Sequence, residues 1–267
     1  MENLSIIIPS YKEPYLGKTI DSLVENAKGK IEIIPIIDDG SIGMREAINI
    51  GLKKATGKYI MKVDSHCLFA KGFDEVLKRD CKKDWLMIPR RYPLNVEKWE
   101  RGTSSGIKDY HYIYYPVKNK YGYSMAPQLW KMKNDKKIDD IMIFQGSCYF
   151  AHREFFMDQV GYLDAKNYGS FGGEQIEVGL KYWLGGGEVK VNKNTWYAHL
   201  FKNEKYYSDK ANLWKYKRKL RAKANYKWIA EHWINNEEPG MKHKFEWLIE
   251  KFWPVPSWPE DRTKWKI

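Results

Sequence analysis

Hydrophobic positions follow two rhythms at the start of this chain. Leu4, Ile6, Ile7 and Ile8 form a short apolar run ending at Pro9, and Ile31 to Ile37 and Tyr59 to Val63 repeat it. Runs of that length bounded by turn residues read as buried strands. Between them, Leu16, Ile20, Leu23 and Val24 recur at helical spacing across residues 15–27, and a second helix runs from about Gly43 to Ala55, stopped near Gly57. Trp85 to Pro89 makes a fourth strand. Short strand–helix alternation of this kind predicts an α/β protein with a mostly parallel sheet covered on both faces.

From Arg90 to Asp140 the pattern dissolves into a stretch rich in Tyr, Lys and Gly, with Pro93, Pro116 and Pro127 as punctuation. Loops this long inside a domain are functional lids or binding loops as a rule. Order resumes at residues 141–144 and 149–151, and a helix follows over 152–159. Another helix opens after Gly172-Gly173 and ends at Gly185-Gly186-Gly187. Val189 and Val191 then alternate with polar residues as a strand leading to Trp196-Tyr197-Ala198-His199. Beyond Lys205 the chain turns basic, aromatic and helical, from about Asp209 to Trp233, with a last short helix over 242–252. The division expected is a domain over 1–205, with 90–140 as its long loop region, and a helical extension over 206–267.

Composition narrows the class. The chain has 267 residues and 43% hydrophobic content, enough for a sizeable core. Cys67, Cys81 and Cys148 make neither a paired framework nor a Cys-x-x-Cys site, which argues for a reducing compartment and against a structural zinc. The start reads as a strand rather than a signal peptide, and no apolar stretch reaches transmembrane length. The expectation is a soluble, cytoplasmic protein. A net charge of +12 favours polyanionic partners, such as nucleic acid, phosphorylated substrates or an acidic membrane surface. Twelve tryptophans are dense for this length, and many lie in the last 60 residues, away from the expected core.

Candidate chemistry sits where the strands end. Asp64 and His66 leave the third strand two residues apart, so an extended chain turns both to one side, where they can grip one cation. Ligands of open α/β sheets bind beyond the carboxyl ends of the strands. Asp38-Asp39 ends the second strand on the same edge, where carboxylates can accept hydrogen bonds from a ribose or a base, or can simply shape a turn.

At this point the chain resembles a family. Residues 6–13 (Ile-Ile-Ile-Pro-Ser-Tyr-Lys-Glu), Asp38-Asp39-Gly40-Ser41 and Ala47-Ile48-Asn49-Ile50-Gly51 look like the nucleotide-binding half of family-2 type glycosyltransferases with the GT-A fold. The second half is similar to polypeptide N-acetylgalactosaminyltransferases, whose Asp-x-His is matched by Asp64 and His66. Their Gly-Gly-Glu-Asn-x-Glu segment is matched by residues 172–177, their Trp before paired glycines by Trp183, and their Gly-His-Val-Phe-Arg by residues 198–202. The likeness covers roughly residues 4 to 202. It implies a mixed sheet flanked by helices, a UDP-sugar donor and Mn2+ (or Mg2+) held by Asp64, His66 and His199. It also implies donor contacts from Pro9, Tyr11, Glu13, Asp38, Asp39, Asn49, Asp64 and Trp183. Glu174 becomes the catalytic candidate, either as the general base on the acceptor hydroxyl or as a holder of the sugar. Family members have an anchor, disulfides and a lectin domain that this sequence does not show, so peptide specificity is not carried over.

The acceptor is read from the tail. Residues 214–221 interleave aromatics with Lys215, Lys217, Arg218 and Arg221, a composition that can stack on bases and neutralise phosphates. DNA bearing hydroxymethylated pyrimidines fits such an acceptor site. A cell-surface glycan or a protein Ser/Thr with peripheral membrane docking is the rival, and a non-catalytic nucleic-acid or sugar-binding module is the competing class. The same aromatics can instead pack onto the domain.

Overall fold

The unbroken apolar runs become the middle of one large sheet. In this computed structural model, residues 3–103, 107–119, 122–123, 125–132, 134–201 and 225–265 are described. The first half contains β1 (Leu4–Ser10), α1 (Leu16–Asn26), β2 (Ile31–Ile37), α2 (Met44–Lys54), β3 (Tyr59–Val63), β4 (Cys67–Phe69), α3 (Phe73–Asp80) and β5 (Trp85–Asn95). Six short strands follow: β6 (Glu100–Arg101), β7 (His111–Ile113), β8 (Lys118–Asn119), β9 (Gly122–Tyr123), β10 (Pro127–Leu129) and β11 (Ile138–Asp140). Then come β12 (Cys148–His152), α4 (Arg153–Gln159), α5 (Ala165–Tyr168), α6 (Glu174–Gly185), β13 (Glu188–His199), α7 (Tyr226–Ile234) and α8 (Phe245–Lys251).

The main sheet runs β11-β13-β5-β12-β3-β1-β2, with β4 paired to β13 and β6 to β5. Pairs β1–β2, β1–β3 and β5–β13 are parallel, whereas β12 lies antiparallel to both β3 and β5. The sheet is therefore mixed, as the resemblance implied, and this corrects only the mostly parallel expectation drawn from alternation alone. An apolar run marks a buried strand without marking its direction, so β12 carried no signal of its reversal.

Alternate residues of each central strand serve two cores. Ile6, Ile8, Met61 and Val63 pack with Leu23 of α1 and Phe73 and Leu77 of α3, while Ile7 and Ile60 pack on the other face with Ala47, Ile48 and Leu52 of α2. Burial on both faces is why these strands read as continuous apolar runs. Gly51 lets α2 settle on β1, because a side-chain carbon there would collide with Ile7.

The stretch over 90–140 is more ordered than its composition foretold. β5 continues to Asn95, β7 pairs with β10, β8 pairs with β9, and Arg90 forms an ion pair with Asp109 at 2.7 Å. In the described part of the tail the aromatics take the packing alternative. Trp233, Trp258 and Trp265 are buried in the same cluster as Trp183 and Tyr182, with indole N–H groups donated to Tyr168 Oη (2.6 Å), to the Ile113 carbonyl (2.7 Å) and to the Pro259 carbonyl (2.8 Å) respectively. These aromatics belong to the core because each indole pairs its polar atom before it is buried. No described helix is long and apolar enough to cross a membrane.

Candidate functional site

A cleft of about 420 Å³ opens beyond the carboxyl ends of β1, β2 and β3. Asp64 follows β3, His66 precedes β4, and His199 ends β13, which pairs with β4 directly (His199 opposite Cys67). That pairing joins two segments far apart in sequence. His66 Nε2 lies 3.1 Å from His199 Nε2, and Asp64 Oδ2 lies 3.2 Å from His199 Nε2 and 4.0 Å from His66 Nε2. All three donor atoms fall within 4.8 Å of one another.

The donor set fits a divalent cation. Two ring nitrogens bound at right angles, each about 2.1 Å from one ion, stand about 3 Å apart, which matches the imidazole separation here. His66 Nδ1 pairs with Glu13 Oε2 at 3.1 Å, an arrangement that fixes the ring and leaves Nε2 as the coordinating atom. His199 Nδ1 is buried without a hydrogen-bond partner among the described residues. Burial pushes the His199 imidazole down to about 3 against the pull of Asp64, so it is neutral near pH 7, the form that binds metals. Burial opposes ionisation of Asp64, but Lys62 and His199 hold its carboxyl well below the ordinary range.

Lys62 is the cation of the cleft floor. Its ammonium, 2% exposed, donates to Asp64 Oδ1 at 2.7 Å and to the Gly146 carbonyl at 2.6 Å, and lies 3.4 Å from Glu174 Oε2. Burial works against its charge, yet Asp64 and then Glu174 raise its pKa above the usual value. Glu174 is itself 2% exposed, and burial raises its pKa in spite of Lys62.

Glu174 is placed by the loop before α6. Gly172 and Gly173 both take positive φ (88° and 69°), a conformation that disfavours side chains. Arg45 donates twice to the Gly172 carbonyl (3.2 and 3.1 Å) and forms a fully buried ion pair with Glu177. Glu177 also accepts from the Asp164 amide (3.0 Å) and Lys181 (3.1 Å), so it fixes the loop rather than facing the cleft.

Of the residues singled out from sequence, Pro9, Tyr11, Glu13, Asp38, Asp64, His66, Glu174 and His199 line this one cleft. Asp38 also organises the turn after β2, accepting from the amides of Gly40 (2.7 Å) and Gly43 (3.0 Å). Three others stand outside the lining. Asp39 is exposed and caps the Ser41 amide at 2.9 Å. Asn49 is buried and exchanges two bonds with the Leu163 backbone, and Trp183 is a core residue donating to the Ile141 carbonyl. Lys215, Lys217, Arg218 and Arg221 lie outside the described residues. Sequence reasoning gave no site role to Lys62, Gln145 and Phe201, all cleft residues. For Lys62 a signal existed, since a lone lysine two residues before Asp64 in an apolar strand shares its face.

No family model matches the chain. It is 26% identical over 184 residues to polypeptide N-acetylgalactosaminyltransferase 5 of Mus musculus, covering 62% of this chain and 18% of that protein. It is 21% identical over 222 residues to the probable N-acetylgalactosaminyltransferase 7 of Caenorhabditis elegans, covering 78% of this chain and 35% of that protein. The chain thus spans about a fifth to a third of the length of these two relatives. Its structure is similar to that of GalNAc-T7 solved with UDP, GalNAc and Mn2+, with a TM-score of 0.62 and 17% identity over 94% of this chain and 56% of that one. The fold is that of the GT-A glycosyltransferases.

Proposed function

We propose that this GT-A chain is a metal-dependent glycosyltransferase that moves a sugar from a UDP-sugar to a hydroxyl acceptor. The observation that carries the reading is the convergence of Asp64, His66 and His199 on one point of a cleft whose floor holds Lys62 and Glu174. The Mn2+-containing neighbour and the N-acetylgalactosaminyltransferase relatives support it. A bound Mn2+ or Mg2+ supplies Lewis acidity that neutralises a departing diphosphate.

The chain's own residues do the rest. Asp64, His66 and His199 hold the ion, and Glu13 orients His66. Asp38, Pro9 and Tyr11 line the end of the cleft beyond β1 and β2 and receive the nucleoside. Glu174, fixed by Lys62 and by the Gly172-Gly173 loop, reaches the sugar and the incoming hydroxyl. Gln replacement separates its two roles. A general base lost in Glu174→Gln lowers kcat by about 10²–10⁴, whereas a sugar-holding carboxylate shows mainly as a raised KM.

The acceptor belongs to the same proposal. Net charge favours a polyanion, and hydroxymethylpyrimidine DNA is one such acceptor. The basic run over 214–221 that points to it lies outside the described residues.

The test is release of UDP from a panel of UDP-sugars with Mn2+, with EDTA, and with and without hydroxymethylated DNA. The expected result is turnover that EDTA abolishes. Asp64→Ala and His199→Ala are expected to lower it about a thousandfold, the scale of the ~4 kcal/mol such an ion supplies, with the circular dichroism spectrum unchanged. Acceleration by DNA selects that acceptor, and indifference to DNA selects glycans or proteins. UDP binding with no turnover from any donor makes the chain a non-catalytic sugar-nucleotide-binding module.

A further inference from the structure

Beside the cleft lies a group of positive charges that the reading above does not use. Arg91, in β5, is 5% exposed, and its guanidinium donates to Gln145 Oε1 at 3.0 Å and approaches His111 Nε2 at 3.3 Å. Both partners are neutral. Burial, together with Arg91 and Lys108, pushes the His111 imidazole down to about 3. Lys108 donates its backbone amide to the Arg91 carbonyl at 3.2 Å, which brings the two residues together. The nearby carboxylate, Asp109, is engaged by Arg90 at 2.7 Å. Neither Arg91 nor Lys108 has an ion-pair partner among the described residues.

Hydrogen bonds to neutral groups satisfy a guanidinium's geometry without compensating its charge, and an uncompensated buried charge is costly. Burial lowers the pKa of both cations; Lys108 also feels the charge of Arg91, while Tyr197, Cys67, Asp109 and Asp64 offset only part of the burial of Arg91. A fold that keeps two such groups together gains when an anion joins them.

Their position relative to the cleft says which anion. The Phe201 ring, 58% exposed at the cleft mouth, has Lys108 Nζ 4.7 Å and Arg91 Cζ 5.7 Å from its centroid, and stands 6.2 Å edge-on to His199. Gln145 lines the cleft, and its carbonyl oxygen is committed to Arg91 and to Ser147 Oγ (2.5 Å), so its amide N–H is the group it can offer a ligand. Phe201 therefore lies against both the metal-ligand triad and the two cations. A donor's diphosphate belongs at the triad inside the cleft, whereas Arg91 and Lys108 stand outside its lining, so an anion they hold belongs to whatever enters against the donor.

We propose that Arg91 and Lys108, both against the Phe201 ring and with the Gln145 amide beside them, form a subsite for a phosphate group of the acceptor. The assignment rests on the transferase reading for its naming of an acceptor, and the anion site itself does not depend on it. A phosphodiester or phosphomonoester close to the accepting hydroxyl would place that hydroxyl toward Glu174, whereas a neutral acceptor would leave the cations unused.

The experiment titrates methyl phosphate into the full chain by calorimetry, both free and saturated with UDP and Mg2+. Expected is binding in both states, weakened about tenfold in Lys108→Met, the loss fitting one charge-assisted hydrogen bond, and at least as much in Arg91→Met. Lys108 is half-buried and its replacement tests the site even if Arg91→Met does not fold. No binding to the wild type, or equal affinity in Lys108→Met, overturns the subsite. Loss of UDP affinity in parallel with phosphate affinity would transfer the cations to the donor's diphosphate and overturn the acceptor assignment. Failure of UDP to bind the wild type at all would sink the transferase, while titration of the free chain still reads the anion site.

Discussion

His66 divides its two nitrogens between two tasks: Nδ1 is held by Glu13 and Nε2 is turned toward His199. Glu13→Gln keeps the side-chain shape and removes the charge that orients the ring. Mn2+ affinity measured by calorimetry is expected to fall about tenfold or more, as for other partners behind a metal ligand. An unchanged affinity would take Glu13 out of the site. Lys62→Met removes the cation between Asp64 and Glu174. Leaving buried carboxylates without their partner costs about 3–5 kcal/mol, which urea unfolding would register as a lower midpoint. Asp64 and His66 were legible because they leave the end of an apolar strand two residues apart, whereas Glu174 and His199 were reached through the resemblance to N-acetylgalactosaminyltransferases. Lys62 carried a signal in the face it shares with Asp64, but one lysine in an apolar strand reads first as an interruption. Arg91 and Gln145 fell in or beside a stretch whose short strands leave no periodicity to read.

At the scale of elements, close approach and buried charge hold the cleft open in one shape. Gly51→Ala on α2 would meet Ile7 of β1 and is expected to destabilise by about 1–3 kcal/mol, the range for overpacking a filled core. Adding Ile7→Ala should recover part of that loss, because contacting sites are not additive; a purely additive double mutant would refute the contact. The Arg45–Glu177 pair holds the Gly172 carbonyl and hence the start of α6. Glu177→Gln is expected to cost about 3–5 kcal/mol and to raise KM for donor, since the loop carrying Glu174 loses its anchor; normal stability with normal KM would assign the pair no such part. The β1-α1-β2-α2-β3 series was readable from apolar periodicity. The reversal of β12 was not, because a run of buried side chains looks the same in either strand direction.

Over the whole molecule, the tail and the first half share one core. Trp233, Trp258 and Trp265 pack with Trp183, and Tyr226 and Ile229 of α7 also line the cleft. A chain ending at residue 224 would expose that surface and is expected to aggregate or to bind a hydrophobic dye, and a soluble, cooperative truncation would show the tail to be dispensable. Composition alone left these aromatics between a ligand surface and the core, because tryptophan suits stacking on a ligand and filling an interior equally well. The β4–β13 pairing has one more consequence. His66 and His199 are separated by 133 residues, and the Leu200 amide donates to the His66 carbonyl at 3.2 Å. A cation joining the two rings would close that long circuit as a rivet does, at the moment the circuit completes. Contacts formed last in folding are felt in the escape rate, so added Mn2+ should slow unfolding in urea while leaving the refolding rate nearly unchanged. Occupancy of the ion would then set how long each molecule stays folded as well as whether it turns over.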